Sequence, residues 1–453
     1  MASRSVVTTS RLLALNILCR WNELHAPING IFDQVVGANH LDQRDLQLAN
    51  ALVFGVLRRQ QYLDYILSRF ARHPLRKMKP RTLFALRIGL FQLLLMDRIP
   101  KSAAVNETVN AFKAVRQPKW LVSFVHGVLR NVARKKKELP APESAIENGL
   151  PILNHPDWLL RRWRQRFGRE KTTMICRCNN QPPVLTLRAN TRLIGRNKLQ
   201  SLFAEAGFKI LPGKFSSVAL CLPEASGSIS GLPGYDQGYF QVQDEAAQLA
   251  TQLMPIGEGE QYLDACAGLG GKTSHLAALA PKTARITAVE PDKRRYRLLG
   301  ENLNRLRLDR VTCCNTTLEQ FAAETEERFD SILLDAPCSG TGVIRRQPDI
   351  RWNRREEELK SYHQQQVLFL NTAASLLKKY GVLVYATCSL EPEENEGVVA
   401  AFLAAHPGFF AENANDYLPQ QAACLVDKHG YFHPTPADGL DGFFAVRLQQ
   451  KKP

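Results

Sequence analysis

The sequence predicts a doubly wound, mostly parallel α/β sheet in its carboxy-terminal half, preceded by an all-helical domain and a small α+β region. Apolar residues recur at helical spacing through residues 8–135, without the alternation that is typical of strands. Residues 138–153 contain three prolines and one glycine, as linkers do. From residue 240 onward, strand-like apolar runs alternate with helical stretches, which is the pattern of a parallel sheet. We therefore expect three domains, at residues 1–140, 141–237 and 238–450.

The predicted helical domain is strongly basic. Residues 1–140 hold 23 Lys and Arg but only 8 Asp and Glu, which accounts for +15 of the chain's net charge of +16. That asymmetry indicates a polyanionic partner such as a nucleic acid. The most apolar stretch, residues 83–96, is interrupted by Arg87 and Gln92 and is shorter than the roughly 20 residues that a membrane span needs. Because residues 1–20 also lack a secretory signal pattern, we expect a cytoplasmic protein without a membrane segment.

The elements that follow are short. In the middle region we expect helices at residues 158–167 and 198–206 and strands at residues 184–188 and 217–222. In the sheet we expect strands at residues 261–265, 285–290, 311–314, 331–334 and 382–387. Sheets of this kind bind their ligands at the carboxyl ends of the strands, so the functional residues should lie just after these runs.

The ten cysteines are expected to be free thiols, because cytosolic proteins rarely contain disulfides. Cys176 and Cys178 form a C-x-C pair, but no second pair completes a zinc site. We therefore predict that the protein holds no metal ion.

A glycine-rich turn follows the first strand of the predicted sheet, in the run DACAGLGGKT at residues 264–273. A phosphate-binding loop needs glycine six residues before the lysine, where this chain has Cys266. The G-x-G-x-x-G spacing of dinucleotide folds is also missing. Glu290 ends the next strand about 20 residues later, where a carboxylate can hold ribose hydroxyls, although dinucleotide folds share that distance. The remaining interpretation is a pocket for S-adenosylmethionine.

Two cysteines stand at the carboxyl ends of neighbouring predicted strands. Cys338 follows the fourth strand in the run DAPCSGTG, and Cys388 follows the fifth in the run ATCSL. Two thiols suit the methylation of cytosine at carbon 5, because a thiolate must first add to carbon 6 and a base must later remove the carbon 5 proton. Asp335 is placed to hydrogen-bond near ring nitrogen 3. Since a carboxylate disfavours a nearby thiolate, we also expect a cation in the pocket, with Lys272 as the first candidate.

These segments resemble the RNA (cytosine-5)-methyltransferase family. The resemblance covers roughly residues 150–450. It rests on the glycine-rich turn, both cysteine loops and the segments PEEN at 392–395, QDEA at 243–246, RRQPDIRW at 345–352 and DGLDGFF at 438–444. The helical domain is similar to the RNA-binding antitermination factor NusB, at residues 104–107 and 128–130. That pairing of domains is found in enzymes that modify 16S ribosomal RNA.

The resemblance implies a Rossmann-like methyltransferase fold, S-adenosylmethionine as cofactor and RNA, in the first place 16S ribosomal RNA, as partner of a monomeric enzyme. It assigns Cys388 as the nucleophile and Cys338 as the residue that assists release, with Asp335 beside them. The implied cofactor contacts are Cys266, Ala267, Gly268, Leu269, Gly270, Gly271, Lys272, Glu290, Asn315 and Asp335.

The chain departs from the family pattern at two places. The family loop has Ala-Pro where this chain has Gly268 and Leu269, which puts the rigidity of the loop in question. After the third strand the family has Gly-Asp-Gly, whereas this chain has Asn315 between Cys314 and Thr316. An amide would then take the place of an acid near the adenine.

The segment after Cys338 is both basic and aromatic. We expect Arg345, Arg346 and Arg351 to bind phosphates and Trp352 to stack on a base. A non-catalytic RNA-binding or antitermination factor remains the alternative function. Such a factor would explain the basic domain but would need neither the glycine-rich turn nor two cysteines.

Overall fold

The computed structural model describes residues 9–37, 41–224 and 227–451. The chain forms two compact units. The first comprises Met1–Pro182 together with Ile344–Arg354, and the second comprises Pro183–Val343 together with Arg355–Pro453. The segment Ile344–Arg354, which sequence reasoning placed within the domain at 238–450, therefore packs with the amino-terminal unit.

Helices and short 3-10 turns account for most of the first unit. In chain order, the α-helices of the described residues are α1 (Ser10–Leu24), α2 (Ile28–Gly37), α3 (Gln43–Arg58), α4 (Gln60–Ser68), α5 (Pro80–Leu95), α6 (Lys101–Ala114), α7 (Lys119–Lys135), α8 (Asp157–Asn179), α9 (Arg196–Glu205), α10 (Glu245–Gln252), α11 (Gly271–Leu279), α12 (Lys293–Arg305), α13 (Leu318–Glu324), α14 (Ile350–Asn353), α15 (Glu358–Ser375) and α16 (Glu396–Ala405). The first unit contains α1–α8 and α14.

The strands belong mainly to the second unit. In chain order they are β1 (Ile146–Glu147), β2 (Leu150–Pro151), β3 (Leu185–Ala189), β4 (Leu211–Pro212), β5 (Ala219–Leu222), β6 (Phe240–Val242), β7 (Gln261–Asp264), β8 (Arg285–Val289), β9 (Val311–Cys314), β10 (Phe329–Asp335), β11 (Leu377–Thr387), β12 (Phe409–Glu412) and β13 (Phe444–Gln450). The predicted sheet strands all appear, and the strand predicted at 382–387 begins five residues earlier.

Helix α5 forms the centre of the first unit and lies against α1, α3, α4, α6 and α7. Pro80 suits its first turn, where a missing backbone N–H costs nothing. Gly89 permits close packing, since a Cβ there would lie 2.6 Å from the methyl carbons of Leu129 on α7. Arg87, which interrupts this apolar helix, is buried and donates two hydrogen bonds of 2.8 and 2.7 Å to Asp64. The arginine is therefore a paired residue of the helical core.

The stretch expected to be a linker is mostly exposed but packs on the first unit through a few buried residues. It forms the β1–β2 hairpin, and Ala145, Ile152 and Leu153 are buried, the first two within the helical core. The basic helix predicted at 158–167 continues to Asn179 as α8, across a kink at Gly168 with φ of +76°. Glycine permits that conformation, which other residues rarely adopt.

The second unit contains two sheets. The smaller is antiparallel, in the order β4-β5-β3-β6. The larger has the order β12-β13-β11-β10-β7-β8-β9, in which β13 runs antiparallel to both of its neighbours and the other pairs are parallel. Apolar clusters cover both of its faces. The prediction of a doubly wound α/β sheet with a helical domain and a small α+β region is confirmed.

The order of the large sheet fixes where a ligand can bind. From β7 the chain proceeds outward through β8 and β9, then returns to β10 on the other side of β7. This reversal opens a crevice at the carboxyl ends of β7 and β10. In the described part of the chain no helix combines the length and the apolar character needed to cross a membrane.

Candidate active site

The two cysteines expected to carry the chemistry lie side by side. Strands β10 and β11 pair in parallel, with Asp335 opposite Ala386, so the loops that follow them leave the sheet at the same edge. The sulfur atoms of Cys338 and Cys388 are 3.2 Å apart. The hydrogen bond with Cys388 and burial raise the pKa of Cys338 well above its ordinary value, with smaller contributions from the charges of Glu394 and Asp335. Cys338 is thus held as a neutral thiol, and a neutral thiol is a poor nucleophile.

Side chains of the segment after Cys388 fix that loop. Asn395 accepts a 2.6 Å hydrogen bond from the hydroxyl of Thr387 and donates a 2.9 Å bond to the backbone oxygen of Ser389. Glu394 is fully buried and accepts hydrogen bonds from both cysteine loops. Sequence reasoning noted these residues within the run PEEN but gave them no role. Their signal was a polar run directly after a strand that carries a reactive cysteine.

The expected cation is present. Lys272, on the first turn of α11, donates a 2.5 Å hydrogen bond to Asp335, and its ammonium nitrogen lies 4.8 Å from the ring centroid of Phe443. The side chain of Lys272 is 10% exposed and that of Asp335 is 32% exposed, so the carboxylate faces the crevice more openly. The ion pair links the loops that follow β7 and β10. These neighbouring strands lie where the order of the sheet reverses.

The glycine-rich turn has the backbone conformation that its sequence predicts. Gly268 and Gly270 have φ of +57° and +80°. Gly270 also packs closely, because a Cβ there would lie 2.5 Å from Leu299. Ala267 donates a 2.9 Å backbone bond to Val289 and accepts one of 2.9 Å from Gly270. Few side chains therefore shield the backbone of the turn at the start of α11. The exception is Leu269, which is exposed.

A buried carboxylate lies beneath this turn. Asp264 accepts a 2.6 Å hydrogen bond from the hydroxyl of Thr273 through Oδ2, while its buried Oδ1 has no hydrogen-bond partner among the described residues. Burial raises the pKa of Asp264 to about 6. Burial likewise raises the pKa of Cys266 well above its ordinary value, so this thiol stays neutral. An unpartnered buried acceptor at the end of β7 suits a ligand that brings its own N–H or O–H donors.

Glu290 and Asn315 are the two residues expected at the far side of the pocket, and each forms a hydrogen bond with a backbone group. Glu290 is buried at the end of β8 and accepts a 2.8 Å hydrogen bond from the N–H of Asp292. The amide nitrogen of exposed Asn315 donates 2.9 and 3.1 Å bonds to the backbone oxygens of Glu290 and Pro291. Asn315 thereby joins the loops after β8 and β9.

Arg188 supports the pocket from the small sheet, which sequence reasoning missed. Its guanidinium is buried and donates 2.8 Å hydrogen bonds to the backbone oxygen of Gly271 and the hydroxyl of Ser274, both in the first turn of α11. It also donates a 2.5 Å bond to Gln243. The sequence showed Arg188 only as the end of an apolar strand, with no sign of these distant acceptors.

The expected RNA contacts at 345–352 separate into two groups. Arg345 and Arg346 are partly exposed, so their proposed role is compatible with their placement. Arg351 is 0% exposed and donates to the backbone oxygens of Asn154 and Asn179 and to the side chain of Asn180, at 2.8, 2.9 and 2.6 Å. The expectation that it binds phosphate was wrong, because the buried guanidinium presents no donor at the surface.

Trp352 of the same segment is partly buried. Its indole N–H donates a 2.8 Å hydrogen bond to the backbone oxygen of Leu57, and its ring packs against the helical core. The residue therefore anchors the segment Ile344–Arg354 within the first unit, and its stacking on a base stays a prediction.

Replacing Arg351 with methionine should lower the free energy of unfolding of the first unit by about 3 kcal/mol, because three buried acceptors lose their partner. A urea titration followed by tryptophan fluorescence measures this, since all five tryptophans belong to that unit. Arg355→Met, at an exposed position, is the control and should leave the transition unchanged. An unchanged transition combined with weaker RNA binding would restore the RNA-contact interpretation of Arg351.

Three family models match successive parts of the chain. The NusB family matches residues 8–134, the ferredoxin-like domain of RsmF/B-like methyltransferases matches residues 155–228, and the 16S rRNA methyltransferase RsmB/F model matches residues 250–449. Each matched range lies inside one of the three domains expected from the sequence.

Curated relatives extend over nearly the whole chain. The probable ribosomal RNA small subunit methyltransferase B of Bacillus subtilis (strain 168) is 33% identical over 98% of this chain and 99% of its own length. Ribosomal RNA small subunit methyltransferase B of Pseudomonas putida is 35% identical over 90% of this chain and 91% of its own length.

Solved structures are similar as well. The crystal structure of PH0851 superposes with a TM-score of 0.79 at 23% identity, covering 98% of this chain and 100% of that one. A methyltransferase homolog protein from Pyrococcus horikoshii superposes with a TM-score of 0.56 at 27% identity, covering 66% of this chain and 96% of that one.

Proposed function

This chain belongs to the ribosomal RNA small subunit methyltransferase B family, and from that membership we propose that it methylates carbon 5 of a cytosine in 16S ribosomal RNA through a covalent cysteine adduct. The methyl donor is S-adenosylmethionine, which supplies a methyl group activated by its sulfonium centre. The observation that carries the cytosine assignment is the pair of thiols 3.2 Å apart at the ends of β10 and β11. Methylation of an amino group or a hydroxyl needs neither thiol.

The residues around the glycine-rich turn fit such a cofactor. The unpartnered Oδ1 of Asp264 would accept a hydrogen bond from a donor group of the ligand, and the uncovered turn at Gly268 leaves room for close approach. Glu290 would bind the ribose hydroxyls, and Asn315 would lie near the adenine. The remaining proposed contacts are those of Cys266, Ala267, Leu269, Gly270, Gly271, Lys272 and Asp335.

In the proposed reaction the sulfur of Cys388 forms a bond to carbon 6. The electron pair of the C5–C6 double bond moves toward C4, and ring nitrogen 3, on the side where Asp335 binds, takes up a proton from solvent water. Carbon 5 then takes the methyl group, while the pair of the broken methyl–sulfur bond stays on the donor. Cys338 first gives its own proton to solvent water and, as a thiolate, removes the proton from carbon 5. The pair of the broken C5–H bond reforms the C5–C6 double bond, nitrogen 3 returns its proton to solvent, and the sulfur of Cys388 leaves as a thiolate.

In this scheme Cys338 loses its proton only after Cys388 has bonded to carbon 6. Its hydrogen bond with Cys388 is the largest cause of its raised pKa. Once Cys388 is bound to carbon 6, its sulfur is a thioether, which is a weak acceptor without charge. The pKa of Cys338 then loses its largest raising contribution, although burial and the charges of Glu394 and Asp335 still raise it, so proton loss from Cys338 becomes easier after the adduct has formed.

The catalytic side chains of this scheme come from one chain and require no metal ion. We therefore propose that the enzyme acts as a monomer, and we propose the cytoplasm as its location because its family acts on ribosomal RNA. Arg345 and Arg346, which follow Cys338 closely in the sequence, are proposed RNA contacts, and the basic first unit supplies further affinity.

The test is to incubate the protein with unmodified 16S transcript, or with small-subunit particles assembled on it, and methyl-labelled cofactor. Digestion to nucleosides should yield labelled 5-methylcytidine. Label on another position would refute the cytosine assignment, and absence of any label on both substrates would favour the non-catalytic RNA-binding factor.

Binding of the 16S transcript should weaken steeply as KCl is raised, because phosphate contacts release counterions. The basic side chains of Arg130, Arg134 and Lys135 on α7 provide a variant in which all three are glutamine. For every phosphate that the variant no longer neutralises, the slope of log affinity against log salt should become shallower by about 0.7–0.9. Exposed Lys282→Gln in the second unit is the control, and affinity that barely changes with salt would contradict a binding role for the basic unit.

A further inference from the structure

A carboxylate is buried between the two cysteine loops. Glu394 is 0% exposed and accepts a 2.8 Å hydrogen bond from the N–H of Ser339, the residue after Cys338. It accepts a 2.5 Å bond from the hydroxyl of Ser389, the residue after Cys388, and another from the hydroxyl of Ser339. A fourth bond, of 3.0 Å, comes from the side chain of Gln366 on α15. The Glu394 side chain thus forms hydrogen bonds with Ser339 and Ser389, the residues that directly follow the two cysteines.

The four donors to Glu394 are neutral groups, so hydrogen bonds compensate the buried charge. Burying a carboxylate is unfavourable, and a neutral acceptor could satisfy two serine hydroxyls with less penalty. A charged acceptor forms stronger and shorter hydrogen bonds than a neutral one. These bonds hold both cysteine loops in one arrangement. The charge also acts directly on Cys338, as one of the causes that raise the pKa of its thiol.

We propose that Glu394 is a positioning residue for the two thiols, which fixes their separation and keeps one as nucleophile and the other as the later proton acceptor. This inference rests on the proposed function, since it assumes that both cysteines take part in the reaction. It assigns a role to a residue that acts through its hydrogen bonds to the two cysteine loops. Tyr385 assists from the strand, because its hydroxyl donates a 2.6 Å bond to the backbone oxygen of Glu394.

The matched pair of variants is Glu394→Gln and Glu245→Gln. Glu245 is also a buried carboxylate, and it accepts hydrogen bonds of 3.1, 2.7 and 2.8 Å from the N–H groups of Lys214, Phe215 and Ser216, away from the cysteine loops. Both variants remove a buried charge and should lose stability. Glu394→Gln alone should lower kcat by about 10- to 100-fold, with KM for the cofactor nearly unchanged, because the thiols are displaced.

A second readout needs no RNA. Alkylation of Cys338 by iodoacetamide, followed by peptide mass spectrometry over a pH series, reports how readily that thiol loses its proton. Removing the negative charge of Glu394 should move the half-maximal pH for Cys338 downward, whereas Glu245→Gln should leave it unchanged. If Glu394→Gln is insoluble, Ser389→Ala removes the hydrogen bond from the Cys388 loop to the Glu394 side chain and should lower kcat, whereas Ser339→Ala keeps the N–H donor of Ser339 and should lower kcat less.

The outcomes separate the two proposals. A wild-type protein that forms no 5-methylcytidine refutes the proposed function, whatever the alkylation profile shows. An active wild type together with a Glu394→Gln variant that matches Glu245→Gln in kcat and in the alkylation of Cys338 overturns the role of Glu394. A Ser389→Ala variant with a kcat equal to wild type overturns it equally.

Discussion

Cys388→Ala should abolish methylation, whereas Cys338→Ala should leave protein covalently attached to RNA. Without the thiol of Cys388 no adduct forms at carbon 6, and kcat should fall on the order of 10⁴-fold or more, as it does when a catalytic nucleophile is removed. Without Cys338 the adduct forms and accepts the methyl group, but the carbon 5 proton has no base beside it. The complex should then accumulate.

Denaturing gel electrophoresis with labelled RNA distinguishes the variants directly. Wild type should show a faint shifted band, Cys338→Ala a strong one and Cys388→Ala none. Exposed Cys424→Ala is the control, and should match the wild type. The reverse pattern would exchange the roles of the two cysteines, and a shifted band in neither wild type nor Cys338→Ala would remove the covalent step from the scheme.

Lys272→Met should lower kcat by about 10²-fold, the order expected when one preorganised charged group is removed from an active site. The ammonium compensates Asp335, and Asp335 is one of the groups that raise the pKa of Cys338. With that charge uncompensated, a thiolate in the pocket costs more to form. The acidic limb of the pH–rate profile should therefore move to higher pH.

Initial rates across a pH series measure this shift, and calorimetric titration with S-adenosylmethionine separates it from weaker cofactor binding. Lys282→Met, at an exposed position just after α11, is the control. A Lys272→Met variant with full activity and an unmoved profile would exclude Lys272 from the chemistry.

The sequence predicted the residues whose position follows from sheet geometry. Cys338, Cys388 and Asp335 each lie at or just after the end of a strand, and parallel neighbours end at one edge, so local pattern alone placed them together. The same reasoning located the glycine-rich turn and Glu290. Local pattern was sufficient there because each residue's neighbours are set by the strand that carries it.

The segment at 344–354 shows where local pattern fails. Several arginines and a tryptophan in one loop are typical of an RNA contact. Burial of Arg351 depends on acceptors at Asn154, Asn179 and Asn180, which are far away in the sequence. The role of Glu394 was hidden for a similar reason, since its donors come from two loops and from α15.

The position of Arg351 and Trp352 in the first unit has a consequence for synthesis of the protein. Domains usually fold in order as they leave the ribosome, at about 5–20 residues per second. Here the amino-terminal unit cannot complete its interior until residues 344–354 have been made, a delay on the order of ten seconds or more at that rate. During this interval Asn154 and its neighbours lack their guanidinium partner. The nascent first unit should therefore be more sensitive to protease and more dependent on chaperones than the finished one.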